Sequence, residues 1–125
     1  MLIPPPPQLS NVAEGLNYLH SCDVIHGDLK GVCDYFLPLL IILTPGQLNI
    51  LVDAAGQARI TNIGIAMTAQ DMNSIGSAPI ERGHSTQWIA PEILGGRGTY
   101  SKEADIFSFA GVAIEVCCKY PARGR

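Results

Sequence analysis

From Leu9 to Leu19 the apolar residues fall at Leu9, Val12, Ala13, Leu16 and Leu19. That three-and-four spacing predicts an amphipathic helix, with Ser10 or Asn11 available near its cap. Val24-Ile25 reads as an extended stub leading into the polar loop His26-Gly27-Asp28-Leu29-Lys30-Gly31. Asn49 to Asp53 and Gln57 to Thr61 read as short strands joined through Asp53-Ala54-Ala55-Gly56, a hairpin with a four-residue connection. Met67 to His84 is polar and irregular, with Gly76, Pro79 and Gly83, and predicts a surface loop. Pro91 suits the first position of a brief helical turn that Gly95-Gly96 ends. Ser101 then caps a helix to about Lys119, with Glu103 and Asp105 placed early enough to suit its dipole. Ala104, Ile106, Phe107, Phe109, Val112, Ala113, Ile114, Val116 and Cys117 put apolar groups almost all the way round it. Such a helix calls for protein on every side. The expected class is α+β, mainly helical with one short β-hairpin.

Composition narrows the picture. The chain has 125 residues, of which 47% are hydrophobic and 15% charged, with a net charge of −3. That suits one domain and excludes a disordered chain. Eight Lys and Arg residues are scattered without a stripe, so no nucleic-acid partner is expected. The longest unbroken apolar run, Leu39 to Leu43, is far short of the ~20 residues that span a bilayer, so no membrane span is expected. Met1-Leu2-Ile3 followed by Pro4 to Pro7 lacks the form of a signal peptide. Residues 1–8 form a Pro-rich stub in which Pro4 to Pro7 predict polyproline II, with an SH3- or WW-type ligand as the alternative reading. Cys22, Cys33, Cys117 and Cys118 form no C-x-x-C pair, so buried, reduced thiols and a cytoplasmic setting are expected.

Alone, His26-x-Asp28-x-Lys30 is a weak signal. It is followed, in order, by Asn49 at the head of a strand, Asn62-Ile63-Gly64 after the hairpin, Ala90-Pro91-Glu92 before a short helix, and Asp105 on an apolar helix. This succession resembles the eukaryotic protein kinases, serine/threonine or tyrosine-kinase-like, and the loop His-Gly-Asp-Leu-Lys-Gly resembles fungal members. The resemblance covers about Leu9 to Tyr120 and implies an incomplete large lobe, a partial kinase domain over 9–125. It implies that Asp28 accepts the proton of a substrate hydroxyl and that Lys30 neutralises the transferred phosphoryl group. Asn49 would hold a Mg²⁺ ion of Mg·ATP, and Asn62 would sit at the other metal position. His26, Gly64, Ser85, Glu92 and Asp105 match structural positions. Ser85 matches the Ser/Thr of the substrate-binding loop, and Asp105 matches an aspartate that hydrogen-bonds the catalytic-loop backbone. A carboxylate on so apolar a helix needs such donors, because a buried charge is costly without them. Glu92 would pair with an arginine that the sequence does not contain in a matching place. The implied partner is a protein substrate.

Departures from the pattern matter as much. Asn62 stands where the family has a metal-gripping Asp, and a neutral amide oxygen is a poorer ligand for a hard cation. Ile63 replaces the usual Phe, and Gly27 stands where many members have Arg. Nothing resembling a Gly-rich phosphate loop or a Val-Ala-Ile-Lys strand precedes Leu9. The expected function is therefore protein-kinase-like, with the chain inactive alone. The alternatives are a pseudokinase-like interaction module, which Asn62 favours, and a truncated gene product without a role.

One stretch does not fit. The family places Asn five positions after the catalytic Asp, whereas Asp28 to Asn49 is twenty-one, an excess of sixteen. Deleting Val32 to Gln47 restores the spacing as Asp28-Leu29-Lys30-Gly31-Leu48-Asn49. Ten of the sixteen deleted residues are hydrophobic and one is charged, unlike the polar loop they interrupt. Val32-Cys33 permits GTATGT, a 5′ splice signal; Leu43-Thr44 permits CTAAC or CTGAC, a branch site; and Gln47 permits CAG, a 3′ signal. Sixteen codons are 48 nucleotides, in frame and of short fungal intron length. The expectation is a translated, unspliced intron; the rival is a true insertion, such as a lipid- or partner-binding hairpin.

Overall fold

The computed structural model describes residues 6–30, 49–61, 67–68 and 86–119. Asn62, Gly64 and Ser85 lie outside them, as do Val32–Gln47 and most of the loop expected over Met67–His84. Helix α1 runs Pro7–Ser21, earlier than the expected Ser10 or Asn11 cap. Pro6 is the N-cap at φ −59°, ψ 141°, and Pro7 occupies the first turn with no side-chain cap. A proline at that position loses no helical hydrogen bond and enters with φ already set. Pro6 has polyproline II dihedrals, whereas Pro7, expected in the same stub, is already the first residue of the helix. At the other end Cys22 closes α1 and Asp23 follows at φ 59°, the left-handed turn that releases a helix. Lys102 Nζ meets Asp23 Oδ1 at 2.9 Å, tying this corner to the start of the last helix.

Strand β1 (Val24–Ile25) pairs antiparallel with β4 (Met67–Thr68), Ile25 opposite Met67. The expected surface loop therefore begins as a strand, which its polar composition hid, because two residues are too few to show a period. Strands β2 (Ile50–Val52) and β3 (Ala58–Ile60) form the expected hairpin, Val52 opposite Ala58. Its turn is organised by Asp53, whose Oδ1 accepts from Ala55 N–H at 2.9 Å and Gln57 N–H at 3.0 Å. The Gln57 N–H and the Arg59 guanidinium hold the Asp53 carboxyl below its ordinary range. Gly56 takes φ 80°, a turn conformation costly to a side-chain-bearing residue. Gln8 Nε2 donates to Gly56 O at 3.1 Å, and Ala58 N–H to Asn11 Oδ1 at 3.2 Å, so α1 is seamed to the hairpin.

A 3₁₀ turn at Thr86–Trp88 leads to the four-residue α2 (Pro91–Leu94), and α3 spans Lys102–Lys119. Ser101 Oγ accepts the Ala104 N–H at 3.0 Å, the expected cap. The core joins Leu9, Val12 and Leu16 of α1 with Leu29, Ile50, Val52, Ala58, and Val112 and Val116 of α3. A second cluster sets Ala90 and Ile93 against Ala104, with Tyr100 packed on it. Trp88 lies against α3 so closely that a Cβ on Gly111 would stand 2.8 Å from its Cδ1.

Two expectations change here. Cys22, at the C-terminal cap of α1, and Cys117, on α3, are exposed free thiols, not buried ones. Helix α3 has apolar groups almost all the way round, yet Ile106, Phe107 and Ile114 are solvent-exposed while Val112 and Asp105 are buried. Only one face of the helix meets α1 and the sheet residues. Among the described residues no helix is long and apolar enough to cross a membrane.

Candidate functional site

The loop His26–Lys30 leaves β1 and returns to the hairpin, and its shape is set by hydrogen bonds to distant residues. Asp105 is 2% exposed. Its Oδ2 accepts the His26 backbone N–H and its Oδ1 the Gly27 N–H, each at 2.9 Å. His20 Nε2 lies 2.8 Å from the same Oδ2. Three donors converge on one carboxylate, so its charge is compensated where water is excluded.

His26 is fully buried and has a defined tautomer. Its Nδ1 accepts the Asp28 N–H at 3.1 Å. That leaves Nε2 carrying the hydrogen, which it donates to Thr61 O at 3.0 Å. Thr61 N–H donates in turn to Asn49 O at 2.7 Å, and Asn49 N–H to Lys30 O at 3.2 Å. Asn49 Nδ2 donates to the Asp28 carbonyl and, at 3.2 Å, to Asp28 Oδ2. The circuit of bonds returns to Asp28 and locks loop, hairpin and strand end together.

The Asp28 side chain is held from both sides. Oδ2 faces the Asn49 amide, and Oδ1 lies 3.4 Å from Lys30 Nζ. Lys30 is almost buried, while the Asp28 side chain keeps about a third of its surface open, at 30% exposure. A carboxylate has lone pairs beyond those two contacts, so Asp28 can still accept a hydroxyl proton from the open side. Tyr100 reports this charge: burial pushes its phenol above 10.0, and the negative Asp28 pushes it further the same way.

Of the residues expected from sequence, Asp28, Lys30, Asn49, His26 and Asp105 are brought together. Glu92 is exposed on α2, apart from them, with its carbonyl accepting the Arg97 and Gly98 N–H groups. His20, Thr61 and Tyr100 also belong to this neighbourhood and were not expected. His20 had one legible sign, a basic residue in the last turn of α1. Thr61 and Tyr100 had none, since one acts through its backbone and the other through position alone.

The protein tyrosine and serine/threonine kinase family model matches residues 46–123. The chain belongs to the protein kinase family. Its relatives include mitogen-activated protein kinase kinase kinase 3 of Homo sapiens, 27% identical over 88% of this chain and 15% of that protein. Serine/threonine-protein kinase pakH of Dictyostelium discoideum is 34% identical over 82% of the chain and 16% of the relative. The kinase dst3 of the same organism is 32% identical over 91% and 16%. The chain thus spans less than a fifth of the length of these relatives. The fold is a mixed one of helices and small antiparallel sheets, consistent with part of a kinase large lobe. Kinases of this family use ATP and Mg²⁺.

Proposed function

We propose that this site is the acceptor side of a serine/threonine kinase centre, which transfers a phosphoryl group from ATP to a protein hydroxyl. The observation that supports it is the setting of Asp28: a partly open carboxylate whose N–H, C=O and both oxygens are each engaged by named neighbours. In this reading Asp28 accepts the hydroxyl proton and aims the oxygen, and Lys30 offsets the charge of the incoming phosphoryl group. Asp105, through His26 and Gly27, keeps the loop in the required shape. Phosphoryl transfer depends mostly on position and charge, so pre-set geometry is the main contribution a protein can make.

The metal side is weaker. With its Nδ2 directed to Asp28, Asn49 has Oδ1 as the atom able to face a hard cation, and the sequence adds the amide of Asn62. Mg²⁺ is ordinarily held by one or two carboxylates plus substrate phosphates. Amide oxygens alone do not fit a metal held tightly by this chain, so no step is assigned to it. By itself the chain is expected to turn over no substrate. The cytoplasmic setting expected from the sequence goes with this reading, since ATP is the donor and Cys22 and Cys117 are free.

The experiment is a ¹⁵N-resolved titration of the chain with Mg·ATP. Shifts centred on Lys30 and Asn49, absent in Lys30→Ala, support the reading. No response at millimolar nucleotide removes it and leaves the pseudokinase-like interaction module that Asn62 favours.

A further inference from the structure

The long connection from Lys30 to Asn49 begins and ends at the same place. Asn49 N–H donates to Lys30 O at 3.2 Å, and the Asn49 side chain reaches back to Asp28. Lys30 and Asn49 are both buried, and Asn49 O is fixed by Thr61 N–H at 2.7 Å. The two ends are therefore held by residues outside the connection. A bond from an N–H to a carbonyl three residues earlier is the one that closes a β-turn. Removing Val32–Gln47 makes Lys30, Gly31, Leu48 and Asn49 consecutive, and the existing bond then has that three-residue span. Removing one residue more or fewer does not give it. The length demanded by the backbone bond, sixteen residues, thus equals that of the segment whose first and last codons permit splice signals.

We propose that Val32–Gln47 is encoded by a removable, in-frame stretch of transcript, and that the protein has a short form in which Lys30-Gly31-Leu48-Asn49 is a β-turn. The short form keeps every described contact of Asp28, Lys30 and Asn49. It also loses the apolar stretch Phe36 to Leu43, a segment of the kind that promotes aggregation. Retention of the stretch makes the long form, so splicing sets how much of each is present. None of this depends on the phosphoryl-transfer reading, because it concerns chain closure alone.

Two measurements test it. Reverse-transcribed mRNA amplified across codons 31–48 should yield a product 48 nucleotides shorter, joined from Gly31 to Leu48; a long product alone overturns the proposal. The purified chain lacking Val32–Gln47 should melt several degrees above both the full chain and a control lacking Val32–Gly46. A melting temperature no higher than that of the one-residue-out control overturns it as well.

Discussion

Asp105 accepts the backbone N–H of His26 at 2.9 Å, across 79 positions of sequence. The bond joins the start of the loop to the first turns of α3, and it converts a helix position into a determinant of loop shape. The same carboxylate takes the Gly27 N–H, so two successive peptide groups are fixed from one point. Asp28, the next residue, inherits its position from them.

Replacing Asp105 should therefore disturb more than a local contact. Asp105→Ala leaves the buried His26 N–H, the half-buried Gly27 N–H and His20 without their acceptor, and should cost about 3–5 kcal/mol. Asp105→Asn keeps one oxygen but turns a donor toward donors, at about 1–3 kcal/mol. Urea unfolding followed through the fluorescence of Trp88, the single tryptophan, measures both. A stability within about 0.5 kcal/mol of wild type for the Ala variant would contradict the anchoring role.

His20 stands on Asp105 Oδ2 at 2.8 Å. His20→Ala should destabilise by about 1 kcal/mol, and His20→Gln, whose amide can donate, should recover part of that. The losses of His20→Ala and Asp105→Asn should not add, with a coupling of at least ~0.5 kcal/mol in a double-mutant cycle. Strict additivity would mean that the two side chains act independently.

Gly111 permits the approach of Trp88 to α3. In Gly111→Ala the new Cβ would meet Trp88 Cδ1 at 2.8 Å and the Gln87 carbonyl at 3.3 Å. The helix would gain propensity from alanine, about 1 kcal/mol, but forcing the indole aside should cost about 1–3 kcal/mol. Net destabilisation and a shifted Trp88 emission maximum are expected. An unchanged emission spectrum would show that the contact does not form.

Tyr100 offers a pH readout of Asp28. Its phenol is raised above 10.0, first by burial and then by the Asp28 charge. A raised folded value means that the contribution of Tyr100 to stability is intact below pH 10.0 and is lost as the pH rises through the folded value. In Asp28→Asn the phenol should titrate lower than in wild type while staying above 10.0, because burial remains. Absorbance at alkaline pH, compared with Tyr100→Phe, follows it. An identical titration in the two proteins would place the Asp28 charge too far away to matter.

Legibility followed the range of the forces involved. The face of α1 was readable in Leu9, Val12 and Leu16, and the hairpin in its turn residues. Ser101 could be read as a cap because its partner is three residues away. Neighbouring backbone groups decide such features, and their signals repeat along the chain. The start of α1 is not legible in the sequence, because Pro7 supplies its φ without any polar cap to announce it. Met67–Thr68 is not legible as a strand, because its partner, Val24–Ile25, lies far off in sequence and both are short.

At the site, Asp28, Lys30, Asn49 and Asp105 are legible through the order of motifs that resembles the protein kinases, since His26-x-Asp28-x-Lys30 alone is a weak signal. Only the tertiary structure decided which atoms meet. It set the hydrogen of His26 on Nε2, brought His20 to Asp105, and closed Asn49 onto Lys30 across an intervening segment of foreign composition. It also chose which face of the largely apolar α3 is covered, burying Val112 and leaving Ile114 in water. Local pattern states what a segment can bury or donate; the packing of α1, the hairpin and α3 against one another states to whom.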